Sequence, residues 1–206
     1  CTLGPATATG ERIRELVAAY PDVVEAPARY TYVVGVSEGG IITALLVEQS
    51  PELFSGGLSA CGPIGNFRKQ INYIGDYRVL WDYFFPSVLP PSPISIPQEV
   101  IDGWESTYEP AVASAVAAGP GAAVQLISTS NAAIDPKDPT SLTTTSVNVL
   151  WYNVFGTNDA SEKLGGNPYD NSTRLYRGST HDLRLNRDVP GFTADAAALA
   201  ALEAYE

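Results

Sequence analysis

The sequence predicts an α/β fold with a short parallel sheet, and three observations carry that prediction. Over the first third of the chain, helix-like and strand-like runs alternate: a helical run before Pro21, a strand at Tyr30 to Gly35, an apolar helix from about Glu38 to Gln49, and a second strand at Gly57 to Cys61. Alternation of this kind sets strands in parallel, with helices as the crossovers. The strand-to-helix junction passes through a tight turn, Gly35-Val36-Ser37-Glu38-Gly39. After Ile64 the strand-like signal stops, and the rest reads as helical or irregular. The expected layout is a core segment over residues 1–64 followed by a mainly helical cap or insertion over residues 65–206.

In chain order, residues 1–8 are small and turn-forming. From Thr9, a plausible N-cap, Ile13, Leu16, Val17 and Tyr20 recur at helical spacing, and Pro21 reads as the stop. Asp22 to Arg29, with Pro27, reads as a loop before the first strand. Ser50-Pro51-Glu52 breaks the second helix, and Gly62-Pro63 ends the second strand. Phe67 to Phe85 is dense in aromatics, and the helical spacing of Tyr73, Tyr77, Trp81 and Phe84 favours packing over a substrate-lining role. Pro86 to Pro97 holds too many prolines for regular structure. Ile101 to Ala118 reads as a helix broken by Pro110, Ala122 to Ser130 as another, Leu142 to Phe155 as a third, and Thr193 to Tyr205 as the last, with Thr193 as its cap.

Composition narrows the function. A net charge of −11 leaves no basic stripe for phosphates, so a nucleic-acid partner is excluded. No apolar run is long enough to predict a membrane span. No cofactor-binding or metal-ligating pattern is assigned. The chain begins at Cys1, contains no Met and stops inside a helical pattern, so both ends read as cuts in a longer protein. Cys1 and Cys61 are the two cysteines. One disulfide, or one terminal thiol and one small buried residue, both fit them.

The chemistry-bearing feature is the turn. Gly35-Val36-Ser37-Glu38-Gly39 fits G-x-S-x-G, in which a Ser on a sharp strand-to-helix turn is offered as a nucleophile. The flanking glycines are expected to remove Cβ atoms that would collide with the strand and helix. The following helix directs its N–H groups toward the Ser, where an oxyanion develops. A Ser nucleophile also needs a base and an orienting acid. The only His is His181, and Asp135, Asp138, Asp159 and Asp170 lie between it and Ser37 in the order such an elbow requires. The polar flanks of His181 and the lack of a strand before it read instead as a surface histidine.

The sequence resembles the α/β-hydrolases, and within them bacterial, often secreted, esterase and prolyl-oligopeptidase-like enzymes. The resemblance is carried by Gly35-Val36-Ser37-Glu38-Gly39-Gly40, Ala60-Cys61-Gly62-Pro63-Ile64-Gly65, the aromatic run Tyr73 to Phe85, and Gly166-Asn167-Pro168-Tyr169-Asp170-Asn171. It implies a partial α/β-hydrolase sheet with a helical cap, a secreted or periplasmic location, and a small-molecule or peptide ester or amide as substrate. It assigns Ser37 as the catalytic nucleophile and the backbone N–H of Glu38 as an oxyanion-hole donor. The acid, the His and the second oxyanion donor of the family are expected outside this chain. Two functions follow: a serine hydrolase working through an acyl-enzyme on Ser37, or a non-catalytic ligand-binding module of the same shape. Asn171-Ser172-Thr173 also fits an N-glycosylation acceptor.

Overall fold

A computed structural model describes residues 3–24, 26 and 28–204. Cys1 and Pro27, which bear on the disulfide and loop expectations, lie outside the described residues. The chain divides into two compact units, Cys1–Asn66 and Phe67–Glu206.

In the first unit, helix α1 (Leu3–Val24) is followed by strand β1 (Tyr32–Val36), helix α2 (Glu38–Gln49) and strand β2 (Gly56–Ala60). β1 and β2 pair in parallel, with Tyr32 opposite Gly56 and Val36 opposite Ala60. Parallel neighbours need a crossover, and α2 supplies it. α2 packs against the sheet at Gly57, where a Cβ would lie 2.7 Å from Thr43 Cγ2 and 2.8 Å from Val47 Cγ2. The opposite sheet face is exposed at Tyr32, Val34, Val36 and Leu58.

α1 starts at Leu3 rather than at Thr9 and carries Pro21 inside it. A proline in the last turn forfeits one hydrogen bond close to where the ladder ends anyway, so it does not stop the helix. The inward face also differs from the expected one. Ala6 and Gly10 are buried and Ile13 and Val17 half-buried, whereas Leu16 is 71% and Tyr20 47% exposed. The Gly10 backbone faces Ile42 and Leu46 of α2, so the stripe is set by that contact.

The second unit is helical throughout its regular structure: α3 (Phe67–Phe84), α4 (Gln98–Asp102), a π-helical turn (Trp104–Tyr108), α5 (Glu109–Ala118), α6 (Pro120–Ser130), α7 (Ser141–Leu164), α8 (Asp182–Asp188) and α9 (Ala196–Glu203). Its core gathers Tyr77, Leu80, Trp81, Val100, Trp104, Val112, Leu126, Leu150, Val154 and Leu185, all buried. Pro110 stands in the first turn of α5, where its missing N–H costs little, and the break falls at Gly103 instead. The β-branched run after Leu142 is helical as expected and extends to Leu164. Asp195, not Thr193, is the N-cap of α9.

The α/β expectation is therefore corrected. About 60% of the chain is helical, and the described residues hold only the two-stranded sheet. Two five-residue strands with one bare face do not form a sheet core, and the apolar side chains after residue 66 are buried on helices. The protein is mostly helical, and no α/β-hydrolase sheet is present among the described residues. No single described helix is long and apolar enough to cross a membrane; Trp104–Ala118 and Pro120–Ser130 reach that composition only together, across a 103° bend.

Candidate active site

Ser37 lies between the last residue of β1 and the first of α2, with φ 56° and ψ −121°. An L-residue at this φ carries backbone strain, of order 1–3 kcal/mol, and keeps it only when its surroundings over-determine it. Here they do. The Ser37 N–H donates to the Ala60 carbonyl of β2 at 3.0 Å, and the Gly40 N–H donates to the Ser37 carbonyl at 2.8 Å. The strained turn leaves Ser37 exposed at the C-terminal end of the parallel pair, and Glu38 opens α2 beside it. An acidic residue in a first turn suits the helix dipole.

The glycines act as expected at one position and not at the other. A Cβ on Gly35 would sit 1.9 Å from the Gly39 carbonyl oxygen and 2.7 Å from Thr43 Oγ1. A Cβ on Gly39 would meet nothing within 4 Å. The second crowded glycine is Gly40, whose Cβ would lie 2.7 Å from Gly62 Cα. Gly40 and Gly62 thus bring the first turn of α2 against the chain leaving β2. Between them, Cys61 has φ 53° and is exposed. Ser59 Oγ is buried nearby without a partner among the described residues. The pattern Ala-Cys-Gly-Pro announces a turn but not its left-handed Cys61.

The steric contrast gives a direct test. Gly35→Ala forces a Cβ onto backbone that cannot yield, so it should cost at least the ~1–3 kcal/mol typical of overpacking and should distort the turn. Gly39→Ala should be tolerated. Urea unfolding of the two variants, monitored by far-ultraviolet circular dichroism, checks this; equal stabilities would show that the turn is not as tight as described.

The other sequence candidates are placed elsewhere. His181 belongs to the second unit and is exposed, with Nδ1 3.0 Å from Thr180 Oγ1. Asp182, its neighbour, accepts instead from the Ser179 hydroxyl and backbone. Asp135 and Asp138 accept from nearby backbone N–H groups in an exposed loop. Asp159 pairs with Lys163 on α7. Asp170 accepts from Ser172 and from the Ala194 N–H. None of these carboxylates orients His181 among the described residues. Asn171 is 5% exposed, and its amide donates to Tyr176 Oη and the Pro190 carbonyl, so the Asn171-Ser172-Thr173 motif does not present a glycan acceptor. Among the described residues Cys61 has no disulfide partner.

Sequence reasoning missed a polar cluster in the second unit. Asp76 of α3 accepts from Tyr176 Oη at 2.8 Å and from Tyr169 Oη at 3.0 Å, and pairs with Arg174 at 3.0 Å. Burial pushes its carboxyl above the ordinary range, opposed by the Tyr176 hydrogen bond, the Arg174 charge and the Tyr169 hydrogen bond. Burial likewise pushes the Tyr176 phenol up to about 12. Every carboxylate oxygen is occupied from within, and the Tyr169 ring lies close against Gly75, where a Cβ would come within 2.3 Å of it. The cluster pins the irregular segment after α7 to α3. The sequence signal for it was Gly75 one residue before Asp76, four residues upstream of Val79 on a buried helix face.

No protein-family profile matches this chain, and neither a curated protein nor a solved structure matches it significantly.

Proposed function

We propose that Ser37 is the nucleophile of a serine hydrolase acting on a small-molecule or peptide ester or amide. The observation that carries the reading is the strained Ser37 backbone, φ 56° and ψ −121°, between a parallel strand and an apolar helix. In such a turn the hydroxyl stands clear of both elements, and strain held at a strand-to-helix junction is a pre-organisation that suits a nucleophile. Ser37 Oγ attacks the substrate carbonyl, giving up its proton to a base as the C–O bond forms. The backbone N–H of Glu38 serves as one donor to the resulting oxyanion. The base returns the proton to the leaving alcohol or amine, and water then cleaves the acyl-enzyme. His181 is not assigned as that base, since Thr180 and no carboxylate holds its ring.

A second reading, a ligand-binding module without turnover, is favoured by one observation: residues 1–66, the unit that carries Ser37, contain no histidine. Fluorophosphonate labelling of the full-length natural protein, with mapping of the labelled peptide, separates the two. Modification at Ser37 is the expected result, and an unmodified protein supports the binding module. His181→Ala should leave the labelling rate unchanged; a rate lowered a hundredfold or more would make His181 the base.

A further inference from the structure

We propose that Thr43 is the positioning residue of the Ser37 turn, acting through the peptide group that joins Gly39 to Gly40. Thr43 stands in the second turn of α2 and is 2% exposed. Its hydroxyl donates to the Gly39 carbonyl at 2.8 Å. The nitrogen of the same peptide, the Gly40 N–H, donates to the Ser37 carbonyl at 2.8 Å. A peptide group is planar and rigid, so fixing its oxygen fixes the direction of its N–H. Thr43 thus reaches Ser37 through one rigid unit held at both ends. That this serves catalysis rests on the hydrolase reading of Ser37; that it holds the turn does not.

The restraint matters because of the residues on either side of that peptide. Neither Gly39 nor Gly40 has a Cβ, so side-chain sterics do little to set its orientation. The Gly39 carbonyl also has little room: its oxygen lies 1.9 Å from where a Cβ on Gly35 would stand, close over the backbone of β1. The Thr43 side chain seats α2 on both strands at this point. Its Oγ1 is 2.7 Å from the Cβ position of Gly35, and its Cγ2 is 2.7 Å from that of Gly57 in β2. One branched side chain fills the hollows left by two glycines on neighbouring strands, hydroxyl toward the first and methyl toward the second. Space filling alone would be served as well by valine. The contact to Gly39 separates the two roles. An oxygen sits this close to a carbonyl oxygen only as a hydrogen-bond partner, and a methyl in its place needs about 3.3 Å or more. Valine would therefore push the Gly39–Gly40 peptide off its position, and with it the donor to Ser37.

The test is amide hydrogen exchange with residue-level readout on the full chain, for the wild type, Thr43→Val and Thr43→Ser. Thr43→Val should speed exchange of the Ser37 and Gly40 amides about three- to tenfold, the factor one hydrogen bond is worth, and leave α1 and the second unit unchanged. Thr43→Ser keeps the hydroxyl and loses the methyl. It should hold both amides within about twofold of wild type, even where it lowers overall stability. A residue that only filled space would give the reverse order. Fluorophosphonate labelling of the full-length natural protein follows the same variants. Thr43→Val should slow modification of Ser37 about threefold or more, with Thr43→Ser close to wild type. Unchanged amides or unchanged labelling in Thr43→Val, or equal losses in Thr43→Val and Thr43→Ser, would overturn the proposal. A wild type that takes no label, with the amide pattern as stated, would remove the hydrolase reading and leave the positioning of the turn supported.

Discussion

Ser37→Ala should remove covalent labelling by a fluorophosphonate and any ester turnover of the full-length protein, while leaving its fold intact. The two halves of this expectation have separate causes. The hydroxyl is the atom that forms the acyl or phosphonyl bond, so nothing replaces it when it is gone, and residual rates fall by several orders of magnitude. Stability should change little, because the contacts that hold the turn are made by the backbone: the Ser37 N–H to Ala60 and the Gly40 N–H to the Ser37 carbonyl. Ala at φ 56° is no worse sterically than Ser. Ser37→Gly is the sharper control. It relieves the strained φ and should stabilise the turn slightly while still abolishing labelling. Retained labelling in Ser37→Ala, mapped to another serine, would remove Ser37 from the chemistry.

The largest expected effect on stability is at Arg78. Its guanidinium is 1% exposed and makes contacts to three partners. Nε donates to both oxygens of Asp82, at 3.0 and 3.2 Å, Nη1 donates to Asn153 Oδ1 at 2.9 Å, and Nη2 donates to the Pro90 carbonyl. Asn153 in turn donates to the Pro93 carbonyl at 3.0 Å, so one buried pair ties α3, α7 and the proline-rich segment together. Burial pushes the Asp82 carboxyl up, and the Arg78 charge and hydrogen bond pull it down. Arg78→Met keeps most of the volume but strands a carboxylate, an amide oxygen and a carbonyl. Breaking a buried pair from one side costs about 3–5 kcal/mol. Urea denaturation of the full chain should show a loss of that size. Arg78→Lys should recover only part of it, because an ammonium cannot span three acceptors in one plane. A loss below about 1 kcal/mol would mean that solvent or another side chain satisfies these groups.

Arg78 is also the residue with the weakest local signal for its role. Within Tyr77-Arg78-Val79-Leu80-Trp81 it reads as the polar member of a helix face, since nothing local says that five consecutive residues are buried together. A helix enclosed on all sides looks different from a half-exposed one only when its neighbours are in place. The same holds for Asp76, whose partners Tyr169, Arg174 and Tyr176 are about a hundred residues away in the chain.

What the sequence determined by itself was local. Two β-branched or small-residue strands, a G-x-S-x-G turn between strand and helix, and the longer helices of the second unit follow from periodicity and from steric limits on a few consecutive residues; the short α8, in the polar stretch after His181, does not. The parallel pairing of β1 and β2 belongs here too, because a helix between two short strands leaves them no other compact arrangement. Ser37 could be read as strained before its dihedral angles were known, since the turn allows little else. Tertiary structure decided the rest. It made the protein mostly helical, because the fold class depends on how many strands find partners, and only two do among the described residues. It kept Pro21 inside α1 and turned Leu16 and Tyr20 outward, because the face of a helix is chosen by the helix it meets. It moved the close approach from Gly39 to Gly40, because a Cβ collides only with an atom that another segment brings there, and Gly62 is that segment.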